Sequence, residues 1–168
     1  PEQSAEQMLR RWRSDDPKRV IGRGHPVGGF LEAHEWEVLE RGEGRLEVRA
    51  RPPDRVMNPR GELFGGFTTT YLDFFALHVF HTSLAPDAPV RWLSTASLRI
   101  DYFAPITGPS FEMPGEVLNR SGRTGQIETR LVVAGRLCAI GQAPLLDPRG
   151  CQPERGAPAR GWPQDADA

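Results

Sequence analysis

The sequence has little cysteine and little net charge. It contains two cysteines, Cys138 and Cys151, which have no zinc-type spacing and form no disulfide framework. We expect both to be reduced thiols in a cytoplasmic protein. The formal net charge of −1 argues against a broad basic surface. We therefore expect neither nucleic acid nor a membrane as a partner.

The sequence also lacks a long apolar run free of charge. No stretch reaches the roughly 18 apolar residues that a membrane-spanning helix needs. The first stretch, PEQSAEQMLRRWRSDD, has no apolar core of the kind found in signal peptides, which again favours the cytoplasm. The length of 168 residues and a hydrophobic content of 38% are typical of one globular domain.

The order of predicted elements indicates an α+β protein. A short amphipathic helix at 3–13 and a Gly/Pro-rich loop make up an N-terminal segment, 1–30. A main domain, 31–146, contains a long helix at 65–82 and otherwise strands, and a Pro/Gly-rich tail, 147–168, follows it. One antiparallel sheet wrapped around the helix fits this order. The predicted strands are 31–40, 44–51, 92–103, 110–119, 124–134 and 136–146.

The long helix contains one carboxylate among apolar residues. In NPRGELFGGFTTTYLDFFALHVFHTSL (58–84), nearly every residue after Gly66 is apolar or a small hydroxyl, which predicts burial on almost all sides. Asp73 lies in its middle. An ionised carboxylate buried there needs a hydrogen-bond partner, an ion pair or an adjoining cavity. A structural hydrogen bond from a hydroxyl, for example that of Thr69 or of a neighbouring strand, and a catalytic role both fit the position.

Two glycines, Gly65 and Gly66, open the same helix. The first N–H groups of a helix have no internal partner, and the helix dipole favours negative charge there. Glycine leaves these groups accessible to an oxyanion or a polarised carbonyl. The same residues also fit a helix cap or close packing, so the pattern alone leaves the choice open.

The spacing of Gly65 and Asp73 limits how the two could act together. Eight residues of helix span roughly 12 Å. A catalytic base and an oxyanion donor must both lie within about 3 Å of one reacting group. Two copies of the chain with antiparallel helices could bring the helix start of one to Asp73 of the other. If the pair is catalytic, the spacing therefore predicts a homodimer.

The string NPRGELFGG, from Asn58 to Gly66, together with Asp73 resembles the motif of hotdog-fold acyl-CoA thioesterases of the PaaI-like, phenylacetate-pathway group. That group carries Asn-x-x-Gly-x-x-His-Gly-Gly and then an acidic residue, seven positions after the second glycine as here. The segments STASLRIDYFAPITG (94–108) and VLNRSGRTGQIETRLVVAGRLCAIGQAPLL (117–146) are similar to the group's later strands. The resemblance covers about residues 31–146 and implies a hotdog fold, an antiparallel sheet around a long central helix.

The resemblance also implies roles for the matching residues. Asp73 would act as general base or as nucleophile toward a thioester, and the Gly65 amide would polarise the thioester oxygen. Asn58 would hold that carbonyl or the loop that presents it. Thr95 stands where the group often has a hydroxyl that positions the hydrolytic water. Ser97, expected on the same strand face, is its substitute.

Further positions concern the substrate. Gly66 and Phe64 would lie beside the thioester, and Phe64 departs from the group's histidine, so it cannot do acid–base work. Arg120 and Arg123 lie in a turn, where they either pair with coenzyme A phosphates or face solvent. The four histidines lack metal-ligand spacing, so we predict no metal. No cofactor is expected, because coenzyme A is part of the substrate.

The function that the resemblance implies is acyl-CoA hydrolysis by a homodimer, with dimers pairing into a dimer of dimers. A non-catalytic acyl-CoA-binding hotdog module is an alternative, because Phe64 replaces the usual histidine. A hydratase or dehydratase of enoyl or 3-hydroxyacyl thioesters is a third. Such sites generally use a histidine with an acid, and no histidine flanks the glycine pair. The acyl group is not specified by the sequence.

Overall fold

A computed structural model describes residues 5–85, 88 and 93–147 of the chain. Within these residues the chain forms three α-helices, seven strands and two 3₁₀ helices, at Ala33–Glu35 and Asp54–Val56. The α-helices are α1 (Ala5–Trp12), α2 (Pro26–Phe30) and α3 (Gly65–His81). The strands are β1 (Glu37–Gly42), β2 (Arg45–Ala50), β3 (Ser94–Thr95), β4 (Arg99–Tyr102), β5 (Phe111–Ser121), β6 (Thr124–Val133) and β7 (Arg136–Leu146).

All seven strands form one antiparallel sheet. Its order is β1-β2-β5-β6-β7-β3, and β4 also pairs with β7, so β3 and β4 together form one edge. Every second residue of β2 and β6 is buried, for example Leu46, Val48, Ile127 and Leu131, which gives the sheet an apolar inner face. The predicted α+β architecture is confirmed.

Helix α3 lies on the inner face of the sheet and buries one side against it. Trp36 stacks on Tyr71 of this helix with ring centroids 5.5 Å apart. The opposite stripe, with Thr70, Asp73 and Leu77, is only partly buried. The composition of α3 predicted burial on almost all sides. In the single chain, one stripe of the helix instead stays partly accessible. The buried residues of α3 are Thr68, Tyr71, Leu72, Phe75, Ala76, Val79 and Phe80.

Glycines on three neighbouring strands allow α3 to approach the sheet closely. They are Gly115 of β5, Gly125 of β6 and Gly141 of β7, and a Cβ at any of them would meet a side chain of α3. At Gly115 this Cβ would lie 2.5 Å from Cγ2 of Val79 and 2.9 Å from Cε1 of Phe75. Both distances are shorter than van der Waals contact, so the helix occupies the space that a side chain would need.

Gly115→Ala should lower the free energy of unfolding by about 2–3 kcal/mol, because the added methyl group overpacks two fully buried neighbours. Denaturant titration measures the change. Gly42→Ala is the matched control, since Gly42 also lies in a strand and a Cβ there meets no atom within 4 Å. Equal stability of the two variants would contradict the close approach.

The outer face of the sheet carries a row of opposite charges, which we call the charge row. Arg49 of β2 lies 3.4 Å from Glu37 of β1 and 2.9 Å from Glu112 of β5. Further along, Arg130 of β6 lies between Glu116 of β5 and its own neighbour Glu128. These side chains alternate in sign across four strands and make this face polar.

The first predicted strand, 31–40, is wrong in its first half. His25 Nδ1 accepts a hydrogen bond from the Gly28 N–H at 3.0 Å, and Pro26 occupies the first helical position. A side-chain cap followed by proline starts a helix, so α2 and a 3₁₀ helix precede the strand. The strand itself begins at Glu37.

The predicted strand 92–103 is split into β3 and β4. Thr95 pairs with Leu145, and Arg99 pairs with Gln142. Between these two pairs the edge advances by four residues, whereas β7 advances by three. One extra residue therefore forms a bulge between the two strands. The bulge breaks the alternation that predicted Thr95 and Ser97 on one face.

The other predicted elements agree with the structure to within two residues, and the 3₁₀ helix Asp54–Val56 has no predicted counterpart. Residue 92, Cys151 and the tail from 148 onward lie outside the described residues, so the three-part division of the chain stays a prediction. None of the helices in the described ranges is long and apolar enough to cross a membrane.

Candidate active site

The start of α3 presents two backbone amides to solvent. Phe64 is the N-cap, and its carbonyl accepts the N–H groups of Phe67 and Thr68. The N–H groups of Gly65 and Gly66 have no acceptor among the described residues, and both glycines are exposed. The two amides are open donors at the positive end of the helix dipole, an arrangement that binds oxyanions.

Asn58 organises the loop that leads into this helix. Its Oδ1 accepts the backbone N–H groups of Arg60 at 2.8 Å and Glu62 at 3.1 Å, and its Nδ2 donates to Glu62 Oε2 at 3.1 Å. The loop then joins the rest of the fold through the Leu63 N–H, which donates to the Ile106 carbonyl at 2.8 Å. The described contacts of the Asn58 side chain thus stay within the loop, and its contact with a substrate carbonyl stays a prediction.

Tyr102 of β4 fixes the first turn of α3, a role that sequence reasoning missed. Its hydroxyl donates to the Gly65 carbonyl at 2.9 Å and lies 3.0 Å from the Thr69 hydroxyl. Holding this carbonyl orients the peptide between Gly65 and Gly66, whose N–H is that of Gly66. The signal in the sequence was the aromatic residue that ends the strand segment STASLRIDY, but its partner becomes visible only when β4 is placed beside α3.

Asp73 accepts a hydrogen bond from a hydroxyl of a neighbouring strand, as the structural alternative for this position predicted, whereas the predicted role of Thr95 in positioning water stays a prediction. Thr95 Oγ1 donates to Asp73 Oδ1 at 2.7 Å. Within the described part of the chain, Asp73 Oδ2 has no partner, and no Arg, Lys or His forms an ion pair with this carboxylate. A carboxylate that is fixed through one oxygen and open at the other can accept a proton from water. Ser97 is exposed, as Thr95 is, but it forms no hydrogen bond with Asp73 in the described structure.

The open amides and the carboxylate form two separate half-sites in a single chain. Gly65 and Asp73 are eight residues apart on one helix, which corresponds to about 12 Å. Tyr102 contacts the helix start, whereas Thr95 contacts its middle. One substrate carbonyl cannot reach both half-sites of one chain.

The remaining predicted residues lie at the N-cap of α3, in β5 and in the turn that follows β5. Phe64 is 57% exposed, and its ring centroid lies 6.1 Å from that of Phe67. Arg120 donates to the carbonyl of Ser83, just beyond the far end of α3, and so lies away from the Gly65 amide of its own chain. Arg123 lies in the turn between β5 and β6 and is exposed. Coenzyme A contacts of the two arginines stay a prediction.

Two further predictions concern metals and thiols. Among the residues that the structure describes, no three His, Cys, Asp or Glu side chains lie together as metal ligands. Cys138 is buried, and its thiol donates to the Arg136 carbonyl at 3.4 Å. The chemistry of the described half-sites is therefore that of a carboxylate, hydroxyls and backbone amides.

No protein-family profile and no curated protein matches the chain by sequence. Solved structures do match it. A phenylacetic acid degradation-related protein of Ralstonia eutropha JMP134, described as a candidate thioesterase, is 21% identical, with 83% of this chain and 96% of that chain covered and a TM-score of 0.63. A Bacillus halodurans protein with CoA is 22% identical, with 74% and 79% covered and a TM-score of 0.61.

The hypothetical thioesterase protein of Streptococcus pneumoniae TIGR4 with coenzyme A is 16% identical, with 67% of this chain and 87% of that chain covered and a TM-score of 0.58. Structural similarity at these levels of sequence identity shows the fold. The chain has the hotdog fold. The predicted resemblance to structures of the phenylacetic-acid-degradation type is confirmed at this level.

Proposed function

We propose that the protein is an acyl-CoA thioesterase. The observation that carries this proposal is the hydrogen bond from Thr95 to Asp73, which leaves Asp73 Oδ2 open on the accessible stripe of α3. The hotdog fold, shared with proteins that were solved with coenzyme A, supports an acyl-CoA as the ligand. A cytoplasmic location belongs to the same proposal.

The proposed reaction is hydrolysis with Asp73 as general base. Asp73 Oδ2 takes a proton from a water molecule, whose oxygen attacks the thioester carbonyl carbon. The oxyanion accepts the Gly65 N–H at a helix start. The C–S bond then breaks, and the thiolate leaves with the proton from Asp73, which yields a carboxylic acid and coenzyme A. Direct attack by Asp73 is the alternative route, and mass spectrometry of a rapidly quenched reaction would detect its acyl-enzyme.

The proposed site belongs to two subunits. The separation of the half-sites supports this arrangement, because antiparallel α3 helices would bring Gly65 of one copy to Asp73 of the other. Large side chains near the half-sites are unusually exposed: Phe64 by 57%, Tyr102 by 51% and Phe103 by 59%. Exposed aromatic residues beside an edge strand favour an interface. Phe64, Gly66, Arg120 and Arg123 would then contact the acyl-CoA.

The test of the proposal is thiol release from a panel of acyl-CoAs by the purified protein. We expect hydrolysis of at least one member and formation of the free acid, detected by mass spectrometry. Tight binding of acyl-CoA in calorimetry without any release would contradict hydrolysis. That result would favour the non-catalytic binding module, which Phe64 in the place of a histidine also fits.

Thr95→Val should lower kcat about tenfold, because a hydrogen bond to a charged group is worth roughly 1.5 kcal/mol at the low end of its range. The same assay measures the change, and Thr95→Ser should retain the rate because it keeps the hydroxyl. Ser97→Ala is the matched control on the same edge of the sheet, and we expect no loss. A larger loss for Ser97→Ala than for Thr95→Val would show that the hydroxyl was assigned wrongly.

A hydratase is the weaker alternative, since it generally needs a histidine at the thioester. In the described structure, no histidine contacts Gly65, Tyr102 or Thr95. Enoyl-CoA absorbance that stays constant on addition of the protein would exclude this alternative.

A further inference from the structure

A cavity of about 830 Å³ lies beside the C-terminal half of α3. Its walls are the C-terminal half of α3, the N-terminal segment from Trp12 to His25, the turn between β1 and β2, and the residues that follow α3. Neither Asp73 nor Thr95 lines it. The volume is in the range of small-molecule sites.

The lining of the cavity combines apolar side chains with positive charge. Three arginines, Arg13, Arg19 and Arg41, line it, whereas Glu43 is the one carboxylate among the described lining residues. The apolar part of the wall can cover a hydrocarbon or an aromatic ring. It consists of Trp12, Val20, Ile21, Leu46, Leu77 and Leu84.

The three arginines lack the ion pairs that other arginines of this chain make. Arg49 and Arg130 on the sheet contact carboxylates. In the described structure, Arg19 instead donates to the Glu35 carbonyl at 2.5 Å, Arg41 donates to the Arg19 carbonyl at 3.3 Å, and Arg13 has no carboxylate partner. Their positive charge is therefore not neutralised from within the described chain.

Three histidines also line the cavity. His25, His78 and His81 all line the wall. Burial lowers the pKa of His78 to about 3, and repulsion from His81, His25 and Arg41 when they are protonated adds to the effect. The Nε2 atom of His78 is buried without a partner among the described residues. At neutral pH His78 is therefore uncharged, and the positive charge that attracts an anion to this wall comes from the arginines.

We propose that this cavity binds an organic anion that carries a carboxylate on an apolar body, such as a medium-chain or aromatic carboxylic acid. The carboxylate pairs with Arg13 and Arg41, and the apolar body packs on Trp12 and Leu77. The carboxylate has two sources. It belongs either to a free acid or to the far end of the acyl group of a thioester, since Leu77 lies one helical turn from Asp73. The second source rests on the proposed function.

Calorimetric titration of the full chain with octanoate, 1-octanol and octylammonium compares three head groups on one tail. We expect octanoate to bind about tenfold more tightly than 1-octanol, and octylammonium to bind most weakly. Arg13→Gln combined with Arg41→Gln should remove this preference and leave 1-octanol binding unchanged. Arg13→Gln alone, at an exposed position, repeats the test without disturbing the Arg41 contact.

Arg136→Gln is the matched control, because Arg136 is exposed at the start of β7 and does not line the cavity. It should bind octanoate as the parent does. Equal affinity for octanoate and 1-octanol would overturn the proposal. Unchanged octanoate binding in the double arginine variant would overturn it as well.

Hydrolysis of adipoyl-CoA and hexanoyl-CoA distinguishes the two sources, because these thioesters differ only in a terminal carboxylate. A preference for adipoyl-CoA that the double arginine variant loses assigns the cavity to the acyl group. Octanoate binding without such a preference assigns it to a free acid. If no thioester is hydrolysed, the proposed function fails, and the calorimetric comparison still decides the proposal.

Discussion

Asp73→Asn should lower the rate of thioester hydrolysis by about 10²–10⁴-fold, the usual contribution of a positioned general base. The amide is nearly the same size as the carboxylate, and its oxygen can still accept the Thr95 hydroxyl. The substitution therefore removes the proton acceptor and leaves the local packing in place. Thiol release under saturating substrate measures the loss in kcat, and KM should change little.

The control for Asp73→Asn is the thermal unfolding midpoint, which should stay near that of the parent because Asp73 is only partly buried. Hydrolysis at the parental rate would refute the assignment of the base. A loss of activity that accompanies a collapse of the unfolding midpoint would instead give Asp73 a structural role.

Gly65→Pro should lower kcat by about 10²–10³-fold, because it deletes one oxyanion donor. Proline is well tolerated at the first position of a helix, and that is where Gly65 lies. The preceding residue, Phe64, already has ψ 134°, which suits a residue before proline. The change thus removes one N–H group and preserves the helix.

Gly65→Ala is the matched control. It keeps the N–H group, and the added Cβ meets no atom within 4 Å, so the rate should stay close to that of the parent. Equal loss in the alanine and proline variants would show that the Gly65 amide is not the relevant group.

Mixing the two inactive subunits tests the shared site directly. Equal amounts of the Asp73→Asn and Gly65→Pro chains are mixed, unfolded and refolded together. Half of the resulting dimers then contain one chain of each variant. Each mixed dimer has one intact site if Gly65 and Asp73 act across the interface, so about a quarter of the parental activity should return. No recovery in mixtures that contain mixed dimers would place both groups in one subunit.

The main features of α3 could be predicted from the sequence, because its signals are local. Glycines, an apolar run and a single aspartate identified the helix and Asp73 without knowledge of the fold. The predicted strand β7 agrees with the structure at both ends. The identity of the helix face that stays open could not be predicted, because most positions of α3 are apolar or carry a small hydroxyl and form no clear polar stripe.

Other parts of the site depend on contacts between distant segments. Thr95 and Ser97 are equivalent in an alternating strand, and only the bulge between β3 and β4 separates them. The bulge arises from the register with β7, which the sequence of the edge does not encode by itself. Tyr102 was missed for the same reason, because its partner Gly65 is 37 residues away. The cavity beside α3 likewise draws its arginines from separate elements.

The charge row on the back of the sheet has a consequence for quaternary structure. Stacking two dimers through these faces would strip water from paired ions such as Arg49–Glu112 and Arg130–Glu116, and the attraction within each pair does not fully offset that cost. A tetramer formed through these faces would retain water at the contact and would dissociate at high salt. A stable tetramer therefore needs another surface. If the proposed dimers form, the backs of their sheets are suited to keep them apart.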